Sequence, residues 1–118
     1  MSGQLNSAKS CSNLLDGFIS DSQEYLIIPS SNHSTQFDII FYPGFSYRIV
    51  LCTEEKDNNF EISLIDEKGN IQYTNSKIVN GIIRDFRFES LFHGQIVVKQ
   101  ITEKKISAKI LIGYKKIE

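Results

Sequence analysis

The sequence of 118 residues has no tryptophan, only two prolines, two cysteines and two histidines, and no large surplus of either charge. Thirteen basic residues stand against fourteen acidic ones, so the basic surplus of an electrostatic nucleic-acid binder is missing. The apolar runs are a few residues long, whereas a membrane-spanning helix needs roughly 20. We therefore expect no nucleic-acid partner and no transmembrane segment.

The residues that are present favour one compact domain. Hydrophobic residues make up 41% of the chain, with eight Phe and five Tyr, which argues against disorder. We expect residues 1–6 to be a flexible N-terminus or a remnant of cloning, and residues 7–118 to form a single domain.

Most of the chain alternates between apolar and polar residues with a period of two, which is typical of half-buried strands. Turn signals separate these segments: the Tyr42-Pro43-Gly44-Phe45 sequence is typical of a type II turn, Gly69 of a hairpin, and His93-Gly94 of a break between two strands. About eight strands at this spacing predict an all-β fold, a single antiparallel β-sandwich. They are expected at residues 25–29, 36–41, 47–52, 60–64, 71–73, 82–88, 95–101 and 106–114.

One segment has a helical period instead. Within residues 7–18, an i, i+3, i+4, i+7 pattern predicts a short N-terminal α-helix with Cys11, Leu14, Leu15 and Phe18 on one face. The inward positions of the strands give the predicted core: Phe37, Ile39, Phe41, Tyr47, Ile49, Leu51, Phe60, Ile62, Leu64, Phe86, Phe88, Ile96, Val98, Ile110 and Ile112.

The cysteines and the N-terminus do not decide between a cytosolic and an exported location. Cys11 and Cys52 are not in a C-x-x-C spacing, so they form either one disulfide or two buried thiols. The first residues lack the charged and apolar segments of a signal peptide, which fits a cytosolic protein or an exported one without its leader.

Two motifs carry a resemblance to known families. The strand G-x-x-Y-x-I-x-L at residues 44–51, followed by F-x-I-x-L-x-D-x-x-G at residues 60–69, resembles the pre-peptidase C-terminal (PPC) domain family of small jelly-roll-like β-sandwiches on secreted enzymes. From Cys11 to Lys115 the chain also resembles small uncharacterised bacterial exported β-sandwich proteins, through F-Y-x-G-x-x-Y-R-I-x-x-C at residues 41–52. The resemblance implies a Cys11–Cys52 disulfide and a periplasmic or secreted location. It supplies no catalytic residue.

The residues themselves offer little catalytic chemistry. His33 lies in a serine-rich stretch and His93 beside a glycine, and no G-x-S-x-G nucleophile motif occurs. The Asn32-His33-Ser34 triplet matches a glycosylation acceptor, a short and common pattern. Oxygen-rich stretches at residues 54–59 and at Asp66-Glu67 suggest calcium, but Lys56 and Lys68 place a positive charge in each. We therefore expect no enzyme activity and no bound cofactor or metal.

Binding is the remaining class of function. Tyr42, Phe45 and Tyr73 are candidate ligand-facing aromatics, although aromatics beside turns also cap core edges. Several lysines lie near the C-terminus, where lysine commonly protects an edge strand from pairing with another chain: Lys104, Lys105, Lys109, Lys115 and Lys116. The sequence indicates a non-catalytic exported accessory domain that recognises another envelope or secreted protein. The alternative is a carbohydrate-binding module.

Overall fold

The computed structural model describes residues 11, 13–21, 23–27, 34–53, 60–78, 81–101 and 107–117. This part of the chain is almost entirely β structure. Its strands are β1 (Ile19–Ser20), β2 (Tyr25–Ile27), β3 (Ser34–Phe41), β4 (Phe45–Thr53), β5 (Phe60–Asp66), β6 (Ile71–Ile78), β7 (Gly81–Arg87), β8 (Phe92–Gln100) and β9 (Ala108–Lys116).

The strands form two stacked antiparallel sheets. The first sheet has the order β1-β9-β4-β7, with β2 also paired to β9, and the second has the order β3-β8-β5-β6. With β2 beside β9, the orders 2-9-4-7 and 3-8-5-6 are those of a jelly roll. The predicted antiparallel sandwich is therefore confirmed. Among the described residues, no helix combines the length and apolarity needed to cross a membrane.

The core lies between the two sheets and contains every residue predicted for it. Phe37, Phe86 and Phe88 are partly buried against it, and the other predicted core residues are buried. Ile27, Phe92 and Ala108 also belong to this core. Ring contacts show how the sheet edges face one another: Tyr25 of β2 meets Phe37 of β3 at 5.2 Å between ring centroids, and Tyr73 of β6 meets Phe86 of β7 at 5.4 Å.

The turn at residues 42–44 carries the chain from the second sheet to the first. Gly44 has a φ of 91°, the positive value that a type II turn requires of its third residue and that glycine adopts without strain. Strand β3 therefore ends, and β4 begins, at the same end of the sandwich.

The central strand β4 is buried on both faces. Its inward residues Tyr47, Ile49 and Leu51 join the main core, while Val50 and Cys52 on the outer face join a second cluster. The N-terminal segment, residues 11 and 13–18, covers this cluster. It contributes Cys11 and Leu15, with Leu14 and Phe18 packed against them, and β9 contributes Leu111.

Three contacts hold the N-terminal segment on this outer face. A disulfide joins Cys11 to Cys52, with 5.7 Å between their Cα atoms. The guanidinium of Arg48 donates to the carbonyl oxygen of Leu14 at 3.0 Å and lies 4.4 Å from the ring centroid of Phe18. Gly113 of β9 lets the segment approach closely, because a Cβ there would lie 2.8 Å from the Cβ of Phe18.

The predicted N-terminal α-helix is not continuous through the described residues: Cys11 is α-helical, but the residues from Asn13 onward are not. Asn13–Leu15 form a single 3-10 turn, and Gly17 follows with a φ of 80°. Serine, asparagine, aspartate and glycine are weak helix formers, and so short a segment depends on tertiary contacts. The apolar face was predicted correctly, since Cys11, Leu14, Leu15 and Phe18 all meet the sheet. Residues 7–10 and 12 lie outside the described residues, as do residues 1–6.

The predicted break at His93-Gly94 is also wrong. Both residues lie inside β8, and the preceding turn falls at residues 88–91. Gly94 is buried where a Cβ would collide with the carbonyl oxygen of Ile65 on the neighbouring strand. The glycine therefore serves a close approach of two backbones rather than a turn.

We expect the disulfide to make a large contribution to stability. Its sequence separation of 41 corresponds to about 4 kcal/mol in the chain-entropy model. Urea unfolding of a Cys11→Ala/Cys52→Ala variant should give a free energy of unfolding lower by about that amount. Reductant should shift the wild type to the same midpoint and leave the variant unchanged. A wild type that unfolds at the same urea concentration with and without reductant would contradict this.

Candidate functional site

A cleft of about 530 Å³ opens at one edge of the sandwich. One wall comes from the first sheet: Asp21 and Gln23 between β1 and β2, Tyr25 of β2, and Ile112 and Tyr114 of β9. The other comes from β3 and β8, and the turn after β3 lies at its end. The remaining lining residues are Asp38, Ile39, Ile40, Phe41, Tyr42, Phe45, Tyr47 and His93.

Two of the three predicted aromatics, Tyr42 and Phe45, line this cleft. The Tyr42 side chain is 53% exposed, and its backbone N–H donates to the Tyr47 hydroxyl oxygen at 2.8 Å. Phe45 is half-buried and meets Tyr114 edge to face, with ring centroids 5.9 Å apart. The Tyr47 hydroxyl therefore holds the backbone at the start of the turn, while Tyr42 itself stays open to solvent.

The third predicted aromatic, Tyr73, lies elsewhere. It is half-buried at the opposite edge of the sandwich, packed edge to face on Phe86, with the Arg84 guanidinium 5.2 Å from its ring centroid. It closes the core between β6 and β7, which is the ordinary role of an aromatic at a core edge.

Asp21 and Tyr25 form a hydrogen-bonded pair in the cleft wall. The Tyr25 hydroxyl donates to Oδ2 of Asp21 at 2.8 Å, and the Gln23 backbone N–H donates to Oδ1 at 3.0 Å. Burial of the phenol, together with the hydrogen bond to Asp21 and its negative charge, raises the pKa of Tyr25 well above its ordinary value. Tyr25 is thus a neutral donor at physiological pH, and it orients the carboxylate.

The opposite wall carries Asp38 and His93. Oδ1 of Asp38 accepts a hydrogen bond from Nε2 of Gln95 at 3.0 Å. Nδ1 of His93 lies 3.4 Å from Oε2 of Glu67, and both side chains are exposed. His93 therefore has a carboxylate neighbour outside the cleft, and within the described lining no serine or cysteine accompanies it as a nucleophile.

The carboxylate of Asp66 stabilises a turn. Oδ1 accepts the backbone N–H groups of Lys68 at 3.0 Å and of Asn70 at 2.9 Å. Oδ2 accepts from the side chains of Asn70 at 3.3 Å and Gln72 at 3.1 Å. The backbone hydrogen bond from Asn70, followed by that from Lys68, lowers the pKa of Asp66.

The calcium hypothesis has no further support from the residues that can be described. They contain no group of three or more His, Cys, Asp or Glu side chains placed to hold a metal ion. The other oxygen-rich stretch, residues 54–59, lies outside the described residues, as does His33. Of the C-terminal lysines, Lys109 pairs with Glu24 at 2.8 Å and Lys115 lies over the Phe18 ring, while Lys104 and Lys105 are not described.

Sequence reasoning missed the acidic half of the cleft and its tyrosine partners. Asp21 lies between two short strands, and Asp38 is an outward residue of an alternating strand, as many solvated aspartates are. The long-range contact of β2 and β3 brings them to one cleft with Tyr25 and Tyr114. No local spacing encodes that contact.

The two sheets and their strand order define a jelly-roll β-sandwich. No protein-family model matches the sequence, and no curated protein matches it. The chain is similar to the crystal structure of the pre-peptidase C-terminal domain of a collagenase from Bacillus anthracis, with a TM-score of 0.59 and 11% identity over 80% of this chain and 89% of that one. This likeness confirms the fold predicted from the two motifs.

We expect the Asp66 turn to give an acid-dependent contribution to stability. Because its folded pKa is lowered, the contribution is complete above the unfolded pKa and is lost as the pH falls through the folded one. Asp66→Ala should lower the Tm at pH 7, and this difference from wild type should shrink in strong acid. Asp66→Asn, which keeps an acceptor oxygen, should lose less at pH 7. A difference that stays constant into strong acid would show that the charge has no part in the turn.

Proposed function

We propose that this chain is a non-catalytic accessory binding domain of an exported system, and that it recognises another envelope or secreted protein at the cleft. The observation that carries the proposal is an open cleft with aromatic walls beside the edge strand β3. Clefts with a few convergent polar groups are the usual form of binding sites on rigid scaffolds.

The edge strand supports recognition of a protein. In the part of the chain that the structure describes, β3 pairs with β8 alone, and it lies at the end of its sheet. Such an edge offers main-chain donors and acceptors to an extended segment of a partner. Ile40 and Tyr42, 47% and 53% exposed, lie at this edge and give the partner apolar and aromatic area.

The polar groups of the cleft support binding rather than catalysis. Asp21 and Asp38 each already accept a hydrogen bond from a neighbouring side chain, as a pair of positioning carboxylates would. His93 is exposed beside Glu67 and is not aimed at a nucleophile by any contact described. This arrangement suits a ligand that is held without reacting.

The disulfide supports export. Disulfides persist in the periplasm and outside the cell, whereas cytosolic thiols are kept reduced. Cys11 and Cys52 lie in a buried cluster, where the bond secures a segment that has little structure of its own. A periplasmic or secreted location accounts for both features.

A carbohydrate is the second candidate ligand, and one observation favours it. Tyr42 and Phe45 meet at a cleft that also holds two carboxylates, so a sugar ring has an aromatic surface and acceptors for its hydroxyl groups. Tyr73, the other aromatic proposed for this role, is too far round the sandwich to join them. A glycan would therefore be bound at the cleft alone.

We expect the compartment to be testable on protein from its natural source. A non-reducing peptide map should contain a fragment in which Cys11 is linked to Cys52, because an oxidising compartment preserves the bond. The same map after reduction provides the control. Two free thiols in the unreduced sample would contradict export and make a cytosolic location the better hypothesis.

We expect Tyr42 to be central to the partner interface. Immobilised wild-type protein should capture a protein from envelope extract, and Tyr42→Ser should weaken binding of that purified partner by about tenfold or more, as for a typical aromatic anchor. Ile71→Ser is the matched control, since Ile71 is 62% exposed and lies outside the cleft.

Either of two results would contradict the protein-binding proposal. Equal loss of affinity in the Ile71→Ser and Tyr42→Ser variants would show that the partner does not use the cleft. Saturable binding of a soluble glycan, with NMR shifts at Tyr42 and Phe45 and no protein captured, would establish the carbohydrate-binding alternative.

A further inference from the structure

The cleft has a one-sided charge. Asp21 and Asp38 line it from opposite walls, and its described lining contains no lysine or arginine. The two lysines three residues from Ile112 along β9 have contacts elsewhere: Lys109 pairs with Glu24 at 2.8 Å, and Lys115 lies 5.2 Å from the ring centroid of Phe18. Two acidic residues without a basic one in the described lining make the potential of the cleft negative.

Both carboxylates keep acceptor capacity for a ligand. An ionised carboxylate offers about four acceptor positions. Asp21 uses one on each oxygen, for the Gln23 backbone N–H and the Tyr25 hydroxyl, and Asp38 accepts from Gln95. These hydrogen bonds orient the two groups without saturating them, so a donor that enters the cleft finds oriented acceptors.

Aromatic rings accompany the carboxylates on both sides. Tyr25 and Tyr114 belong to the first sheet, and Tyr42 follows β3. The face of an aromatic ring attracts a cation, and the attraction is stronger where water is partly excluded. Rings and carboxylates together make a site that prefers a positive charge over a neutral polar group.

The same chemistry is already used inside this molecule. The Arg48 guanidinium lies 4.4 Å from the ring centroid of Phe18 and forms a forked pair with Asp85, at 2.8 and 3.0 Å. That arginine, held by a ring and a carboxylate, fixes the N-terminal segment to the sheet. The cleft presents rings and carboxylates of the same kind with no arginine or lysine in its described lining.

We propose that the cleft binds a lysine or arginine side chain of the partner protein, between the carboxylates of Asp21 and Asp38 and against the tyrosine rings. This inference rests on the proposed function and names the group that is recognised. The edge of β3 that pairs with no described strand holds the partner's backbone beside the cleft, so that one basic side chain extends into it. A neutral sugar would leave the negative charge of the cleft uncompensated.

The test uses the whole chain and four short peptides. Each is acetyl-Gly-Gly-X-Gly-Gly-amide, where X is arginine, citrulline, lysine or acetyl-lysine. Citrulline keeps the length of arginine and three of its N–H donors, and acetyl-lysine keeps the lysine stem and one N–H donor, while both replace the charge with a neutral carbonyl group. Backbone amide shifts in two-dimensional NMR report the site of binding and, by titration, the affinity.

The arginine and lysine peptides should give saturable shifts at residues 21, 23–25, 38–42, 44 and 45. Their uncharged counterparts should bind about tenfold more weakly, and raising NaCl from about 50 to about 500 mM should weaken the charged peptides only. Asp38→Asn and Asp21→Asn should each weaken binding about threefold or more. Asp38 is exposed, so its variant tests the proposal even if the Asp21 variant folds poorly.

Glu61→Gln is the matched control, because it removes the same charge at the other end of the second sheet. Glu61 lies opposite Lys99 in the β5–β8 strand register, near the end of β8, whereas the cleft lies near His93 at the start of that strand. Its affinity for the peptides should equal that of wild type.

The outcomes separate this proposal from the proposed function. Equal binding of arginine and citrulline peptides at the cleft would overturn recognition of a cation and leave protein binding standing. No shift at the cleft with any peptide would overturn the cation site, and the capture experiment with Tyr42→Ser would then decide the proposed function independently. Equal weakening in Glu61→Gln and Asp38→Asn would reduce the effect to overall charge and overturn the site.

Discussion

The structure depends on the burial of β4 on both faces. This strand pairs with β9 from Phe45 to Thr53 on one side and with β7 from Ser46 to Leu51 on the other, so most of its main-chain groups have partners within the first sheet. Its inner face contributes to the core between the sheets, and its outer face needs a cover of its own. A sandwich normally leaves the outer faces of its sheets polar. Here Val50 and Cys52 make an apolar outer patch, which explains why the N-terminal segment is tied down.

A chain of aromatic rings closes the end of the sandwich where the turn at residues 42–44 crosses between the sheets. Phe41 lies 4.3 Å from Tyr47 between ring centroids, and Phe88 lies 4.7 Å from Phe92. Phe45 continues the chain to Tyr114 at the cleft wall, and Phe86 continues it to Tyr73 at the far edge. Aromatic pairs add to the free energy gained from burying their area. Tyr47 of this chain accepts the backbone N–H of Tyr42 and so joins the turn to the core.

The period of two along the sequence predicted the strands and the inward residues, because burial of one sheet face requires that alternation. This alternation failed to predict residues whose role depends on a contact with a distant part of the chain. In the sequence Gly94 resembles a turn glycine, but glycine is needed there because a Cβ would collide with the carbonyl oxygen of Ile65 on the neighbouring strand. The segment around Leu14 has a helical period, but the sheet beneath it and Gly17 determine its path.

Tyr42 and Phe45 were found as aromatics beside a turn. Asp21 and Asp38 were missed because only the pairing of whole strands brings them to one cleft.

The N-terminal segment also connects the disulfide to the cleft. After Phe18 the chain pairs with β9 at Ile19 and Ser20, and the backbone N–H of Asp21 then donates to the carbonyl oxygen of Ile112 at 3.0 Å. The carboxylate of Asp21 therefore lies at the end of a short stretch of chain that begins at Cys11 in the outer cluster.

A two-residue strand contributes few hydrogen bonds of its own, so the position of Asp21 depends on how firmly the preceding residues are held. The disulfide and the Arg48 contacts hold them, and under the proposed function a carboxylate that is already fixed would lose less entropy when it binds a ligand. The bond that completes the outer cluster thus also helps to pre-organise the acidic wall of the cleft.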